Sequence, residues 1–519
     1  MTGQAVARDG CRPGWTYVLL LGSAAFCGAS VMVIQLLGTR LMAPFYGTSL
    51  YVWTSLIAVS LLALALGYFF GGRWADRSGG AAYPWVLFAA GVATLAIPLL
   101  TGPVLLLTDP LGLRAGVFFS ALLLFTPSFF LLGMVSPFVI RMVTDDLQRV
   151  GRSAGAVNAV GTLGSVFGTL LLGFFLFPLF GSREIILGVG ALLLLLAGVV
   201  ALTQGHRGLP LVAGVVLLLP TLSMLLPTQA AGGERSHYIL RFEQESLYGW
   251  VRVIDDLRHG VRYLTADGSA IGAASLADGK NLLSYQQIVG LLPQLQPGMQ
   301  RVLIIGQGAG HMATELHTRF GLTVDTLEID PAVARAAREQ FGFVPSGTAL
   351  VGDARYLMHR LHGPYDLIIH DSFTGGAEPT HLLTREALAQ VKGLLREGGL
   401  LALNFVSHYD DGRNPALASV SRTLEAVFAT QRTFVSEPGH AFNDFIFLAS
   451  DHPIDIGTGE TRLTAEQHHW LAVREVEVTA RYGRLLNDNL NPLEQMQTRK
   501  ADAYRALQHA WFGPELLLR

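Results

Sequence analysis

Apolar residues run almost unbroken through the first 230 positions and then give way to short alternations. A membrane-crossing helix needs about 20 apolar residues. The pattern predicts spans near 15–37, 51–71, 83–107, 115–140, 154–180, 183–203 and 209–227, the last interrupted by Pro220 and barely long enough. No small-residue cleavage site follows the first apolar run, so that span is expected to remain in the protein. Beyond residue 236 the period changes to two, in His237–Phe242, Trp250–Ile254 and Val261–Leu264, with turns at Asp256, Gly260 and Asp267-Gly268. From residue 301 strands and helical spacings alternate. Strands are expected at Arg301–Gly306, Thr323–Asp330, Ala349–Gly352, Asp366–His370, Leu400–Phe405 and Phe445–Leu448, with a helix opening at Pro331. Such alternation specifies a doubly wound α/β sheet. Helical spacing then fills most of 464–510. The expected organisation is a multi-span α-helical membrane domain of about seven spans (1–230), a small β subdomain (231–290) and an α/β domain with C-terminal helices (291–519).

Charge sharpens this division. Residues 1–230 carry 11 Arg, no Lys and 6 acids, net +5, and the remainder 26 Lys+Arg and 33 acids, net −7. Only 15% of the chain is charged, against about 25% in a soluble domain, which excludes a plain soluble enzyme and a disordered chain. No basic block points to nucleic acid. The two cysteines, Cys11 and Cys27, exclude a disulfide framework and a Cys-rich zinc site. His381, His408 and His440 are scattered, so no metal site is expected.

Arginines cluster in alternate loops of the apolar half: Arg8 and Arg12, Arg73 and Arg77, then Arg141, Arg149 and Arg152, then Arg207. The other loops hold only Arg40, Arg114 and Arg183. The N-terminus is therefore expected in the cytoplasm. Seven crossings would put the polar half outside, in conflict with a cytosolic ligand. Gly161, Gly164 and Gly168 allow close helix approach. Gly71–Gly79 resembles the loop motif of major facilitator transporters, where Asp76 would pair with Arg77. Gln35 is polar within a span but marks no charged pathway.

In an open α/β sheet the chemistry lies at the carboxyl ends of the strands. The first strand ends in Gly306-Gln307-Gly308-Ala309-Gly310, a turn that lets backbone approach a ligand. The second ends in Glu328-Ile329-Asp330, about 20 residues on, where an acid accepts ribose hydroxyls. The third ends in Gly352-Asp353-Ala354-Arg355, where Asp353 is placed to accept from an adenine amino group. The fourth ends in His370-Asp371. No phosphate-binding Gly-Lys-Thr loop is present, so the ligand is expected to be a nucleoside rather than a nucleotide.

These motifs resemble the spermidine synthase (aminopropyltransferase) branch of the AdoMet-dependent methyltransferase fold. The whole chain is similar to bacterial proteins that fuse a multi-span membrane domain to such a module, down to the tail Asn487-Asp-Asn-Leu-Asn-Pro-Leu-Glu494. The resemblance implies a Rossmann-like catalytic domain and a multi-pass location in the inner (plasma) membrane. It makes Glu328 the ribose acid and Asp353 the adenine reader. The rest of the nucleoside set is Gly306, Gln307, Gly308, Ala309, Gly310, Ile329 and Ala354. Asp371 becomes the catalytic carboxylate facing the amine, and Tyr285 lines its channel.

The departures from the family decide the expected reaction. The family's glycine-loop Asp is Ala309, its second strand-four Asp is Thr374, and its His-Glu after the channel tyrosine is Gln286-Gln287. Two of its glutamines are Ile271 and Gly249. Desolvated polyamines need anionic or aromatic partners, and these losses remove several. Alanine at 309 also spares the carboxylate of intact AdoMet a like-charge contact. The expected activity is therefore AdoMet lysis at the Cγ–S bond, an intramolecular attack giving homoserine lactone and 5'-methylthioadenosine. Aminopropyl transfer from decarboxylated AdoMet is the alternative, and a nucleoside-binding sensor or transporter a third. The ligand in each case is a small sulfonium nucleoside, bound as substrate without further cofactor. The bilayer is the other partner, and a homo-oligomer is left open.

Overall fold

The computed structural model describes residues 14–47, 50–144, 147–177, 179–206, 208–225, 237–373, 376–456, 461–513 and 516. Arg8, Cys11, Arg12, Arg207, the 226–236 linker and Thr374 lie outside the described residues. The chain forms two compact units. One is helical and reaches Thr228; the other runs from Gln229 to Leu517 and also takes in Ala43–Thr48.

The helical unit contains α1 (Gly14–Tyr46), α2 (Leu50–Ser78), α3 (Tyr83–Thr108), α4 (Gly112–Val143), α5 (Val150–Leu171), α6 (Ser182–Thr203) and α7 (Gly208–Leu225). Among the described residues five stretches are long and apolar enough to cross a membrane, and one of them, Tyr83–Val143, is 61 residues long. At 1.5 Å per residue it measures about 90 Å, roughly three hydrocarbon cores. It turns at Asp109–Leu111 into α3 and α4, which pack against each other. Six helices therefore have crossing length. The seventh, α7, has 18 residues, about 27 Å, slightly under the usual core.

Small side chains join α1 to α5. A Cβ at Gly164 would stand 2.0 Å from the Ala25 carbonyl oxygen, so only glycine allows that approach. Hydroxyl pairs add to the packing, as between Thr94 and Ser128 at 2.8 Å. Residues 71–78, expected as a loop, continue α2 to Ser78. Asp76 pairs with Arg141 of α4 at 3.9 Å instead of with Arg77, because adjacent residues on a helix do not face one another.

The second unit opens with an antiparallel meander of β1 (Tyr238–Glu245), β2 (Trp250–Asp256), β3 (Val261–Ala266) and β4 (Ser269–Ser275). The main sheet holds β5 (Arg301–Ile305), β6 (Thr323–Glu328), β7 (Ala349–Val351), β8 (Tyr365–His370), β9 (Leu395–His408), β10 (Thr430–Val435), β11 (Phe442–Ser450) and β12 (Glu475–Val476). Their order is β12-β10-β11-β9-β8-β5-β6-β7. The sheet is Rossmann-like but mixed. The strands β9, β8, β5, β6 and β7 are parallel, and β11, β10 and β12 extend the β9 edge antiparallel. The winding reverses between β5 and β8, the switch point at which such sheets bind ligands.

Apolar side chains cover both faces of the sheet. Leu303, Ile368, Phe405 and Phe447 pack to one side, and Val302, Ile304, Leu367 and Ile446 to the other. Each fully buried side chain of this size contributes about 1.5–3 kcal/mol. The expected helical tail is broken. Ala465–Ala472 is followed by irregular chain, and helix resumes at Leu493–Met496 and Thr498–Phe512. Asn491 holds the break by donating to the Thr380 carbonyl at 2.8 Å.

Candidate active site

A cavity of about 400 Å³ opens at the carboxyl ends of the parallel strands. Sheet bonding continues past the strand ends. Gly306 N donates to the Leu327 carbonyl at 2.9 Å, and Asp371 N to the Ile305 carbonyl at 2.8 Å. This draws Gly306 (φ +98°) so close to Asp371 that a Cβ at 306 would lie 1.9 Å from the Asp371 carbonyl oxygen. Only glycine fits.

All eleven residues singled out in the sequence line this one cavity: Gly306 to Gly310, Glu328, Ile329, Asp353, Ala354, Asp371 and Tyr285. Glu328 is buried at the end of β6. Its Oε2 accepts from Gly308 N at 3.2 Å and its Oε1 from Asp330 N at 3.0 Å. Burial outweighs these bonds and pushes its carboxyl up to about 7. The carboxylate lines the cavity. Asp353 caps the next helix through Tyr356 N at 3.0 Å, and its other oxygen lies 3.2 Å from His381 Nε2. Arg355 forms a two-pronged pair with Asp488 at 2.6 and 2.8 Å, so the tail motif fixes this corner of the site.

Asp371 is half-buried between two donors, Tyr285 Oη at 2.7 Å and Asn404 Nδ2 at 2.9 Å. Burial raises its carboxyl above the usual range against the pull of these bonds, and raises the Tyr285 hydroxyl as well. Tyr285 therefore donates and Asp371 accepts.

Sequence reasoning missed Asp444 on β11. It is half-buried in the cavity wall, and desolvation together with the Asp371 charge pushes it up to about 7. Antiparallel pairing places Asp444 opposite Val406. The start of β11 thus reaches the edge where parallel strands end. The acid at its first turn of alternation, Phe442-Asn-Asp-Phe445, was the available signal. Asn404, Glu378, Lys500 and Tyr504 were missed too. Glu378 is buried, accepts from Val406 N at 3.0 Å and Gln497 Nε2 at 3.0 Å, and pairs with Lys500. That knot anchors the helix Thr498–Phe512, whose Tyr504, Leu507 and Trp511 line the cavity.

The expected loss of amine-holding groups needs correction. Ala309 does lack a carboxylate, but it is 5% exposed and packs in an apolar cluster with Val251, Leu264 and Ala332. Gln286 turns into the cavity while Gln287 is exposed outside it. Among the described lining residues there are six carboxylates (Glu328, Asp330, Asp353, Asp371, Glu437 and Asp444) and no Lys or Arg. Glu328 and Asp330 are buried, Asp353, Asp371 and Asp444 half-buried and Glu437 exposed, and acids gathered in this way favour a cationic ligand.

No family model matches the chain. A polyamine aminopropyltransferase from Vibrio vulnificus is 34% identical over 205 residues, covering 37% of this chain and 67% of that protein. The chain belongs to the polyamine aminopropyltransferase family. Polyamine aminopropyltransferase 2 of Streptomyces coelicolor is 28% identical over 463 residues, covering 82% of this chain and 79% of its own length. That alignment is too long to be confined to the α/β unit. The spermidine synthase structure from Thermotoga maritima covers 52% of this chain and 88% of its own at 18% identity, with a TM-score of 0.35. An N-terminal histidine N-methyltransferase of Emericella nidulans is 29% identical over 220 residues, and the chain spans only 38% of its length. The relatives are thus group-transferring enzymes.

Proposed function

We propose that this chain is a membrane-anchored aminopropyltransferase that moves the aminopropyl group of decarboxylated AdoMet onto an amine, releasing 5'-methylthioadenosine. The observation that carries the reading is the cavity wall, which among the described residues holds six carboxylates and no Lys or Arg. Both substrates are cationic, whereas the carboxylate of intact AdoMet would enter a field of like charge. Glu328 accepts the ribose hydroxyls, Asp353 the adenine amino group, and the Gly306–Gly310 turn lets backbone approach the nucleoside. Ile329 and Ala354 flank the two acids. The amine nitrogen attacks the carbon bonded to sulfur. The N–C bond forms, the C–S bond breaks with its electrons passing to sulfur, and the amine proton goes to Asp371. Tyr285 and Asn404 hold that carboxylate on line.

AdoMet lysis to homoserine lactone is the second reading, and Ala309 favours it, since no acid there opposes a substrate carboxylate. A sensor or transporter fares worse. It has no use for the Asp371–Tyr285 pair, and the buried polar side chains described in the helical unit are all Ser or Thr. The location that accompanies this proposal is the inner (plasma) membrane with the α/β unit in the cytoplasm. That arrangement requires an even number of crossings, met when α7 lies at the interface. Proteolysis of sealed vesicles tests it.

Product chromatography of the purified full chain tests the reaction. Decarboxylated AdoMet with putrescine should yield spermidine and methylthioadenosine. Lactone and methylthioadenosine from AdoMet alone, with no spermidine from the first mixture, would replace transfer by lysis.

A further inference from the structure

Three acceptor groups that the transfer step does not use converge behind Asp371. Asp444 is half-buried, accepts from the Asn404 amide and has no ion pair among the described residues. Asn404 is 4% exposed; its amide nitrogen is spent on the two carboxylates Asp371 and Asp444, and its Oδ1 has no hydrogen-bond partner. Gln286 is 6% exposed; its nitrogen donates to Tyr285 Oη at 3.2 Å, and its Oε1 is likewise without a partner. All three side chains line the same cavity. Asn404 sits two residues from Val406, the partner of Asp444 across the β9–β11 ladder, so both point to one face of the sheet.

Buried acceptors without donors are costly, and native structures rarely keep them without a use. An ammonium is their complement, with three N–H donors and no acceptor. The nearby Lys500 does not fill the role, since its ammonium is committed to Glu378, to which it is ion-paired. Tyr504 closes the same end of the cavity from the C-terminal helix, and the charges of Asp444 and Glu378 reach its hydroxyl.

We infer that Asp444, with the carbonyl oxygens of Asn404 and Gln286, seats an ammonium group of the acceptor amine, in place of the carboxylates missing at positions 309 and 374. The inference rests on the aminopropyl-transfer reading and adds which residues select the acceptor. Asp371 serves the reacting nitrogen, and Asp444 sets affinity for the charged amine.

Steady-state kinetics of the full chain with decarboxylated AdoMet and putrescine tests it. Asp444→Asn should raise the putrescine KM about 10- to 100-fold, as expected for loss of a charged hydrogen-bond partner, with kcat within a few-fold. Calorimetric binding of methylthioadenosine should be unchanged, which also shows that the variant is folded. Asp444→Glu should recover part of the loss. Gln286→Leu, which leaves Asp444 in place, should raise the same KM several-fold. A putrescine KM within twofold of wild type in both Asp444→Asn and Gln286→Leu would overturn the seat while leaving transfer intact. Absence of spermidine from the wild-type chain would instead overturn the transfer reading. The seat is then judged by calorimetric putrescine binding to the methylthioadenosine-loaded protein, where equal or absent binding in wild type and Asp444→Asn rejects it.

Discussion

The two units solve the problem of buried polarity in opposite ways. In the helical unit the described buried polar side chains are Ser and Thr hydroxyls, most of which bond within their own helix or to a neighbour, as Thr94 does with Ala90 and Ser128, while Thr126 Oγ1 has no partner. In the α/β unit six carboxylates face one cavity, and two of them, Glu328 and Asp444, are pushed up to about 7. Groups kept at such a cost to the empty fold mark the chemistry. On the proposed reading, the contrast gives packing and anchorage to the first unit and reaction to the second.

The sharpest way to break this contrast is at Asp371. Asp371→Asn should lower kcat by about 10²- to 10⁴-fold, the usual worth of a positioned proton acceptor, with methylthioadenosine affinity nearly unchanged. Gly306→Ala should be as damaging by a different route, since its methyl collides with the Asp371 backbone. Here nucleoside binding should fall with turnover, and rapid-quench product measurement alongside calorimetry separates the two cases.

Glu328→Gln should weaken nucleoside binding about 10- to 100-fold. The same residue predicts a pH dependence. Its folded value near 7 lies above the ordinary 4.5. Between those values the folded, empty protein holds a proton that the unfolded chain has released, so this group lowers stability as pH rises from about 4.5 to 7. Accepting two hydroxyls requires the ionised form, so nucleoside affinity should rise with pH and level off above about 7. Calorimetric titrations from pH 5 to 8 that show flat affinity would remove Glu328 from the ribose position.

Smaller effects test the division itself. Gly164→Leu forces α1 and α5 apart and should destabilise the helical unit by about 1–3 kcal/mol, read as a lower melting temperature in detergent. The putrescine KM should not move. Smallest of all, Arg355→Ala should raise the nucleoside KM only a few-fold, because the Arg355–Asp488 pair is partly exposed and such pairs are weak.

Much of this was legible in the sequence because parallel strands are buried on both faces and read as apolar runs. Arg301–Ile305, Tyr365–His370 and the polar residues just after them were visible for that reason. Glu328, Asp353 and Asp371 follow strands in chain order, so a rule about carboxyl ends found them. Asp444 escaped the same rule because β11 runs the other way and brings its beginning to the active edge. Glu378 and Lys500 meet across 122 positions, a pairing that no local pattern records. The helical reading of Gly71–Ser78 was hidden by its glycines and charges, which read as a loop until α4 supplied Arg141 to Asp76.

The transfer reading requires a cavity that takes cations at both ends, and calorimetric titration of putrescine into the methylthioadenosine-loaded full chain measures that directly. It predicts saturable binding that weakens with added salt and is lost in the Asp371→Asn, Asp444→Asn double variant. Putrescine that fails to bind, while intact AdoMet binds the empty protein more tightly than its decarboxylated form, would contradict it.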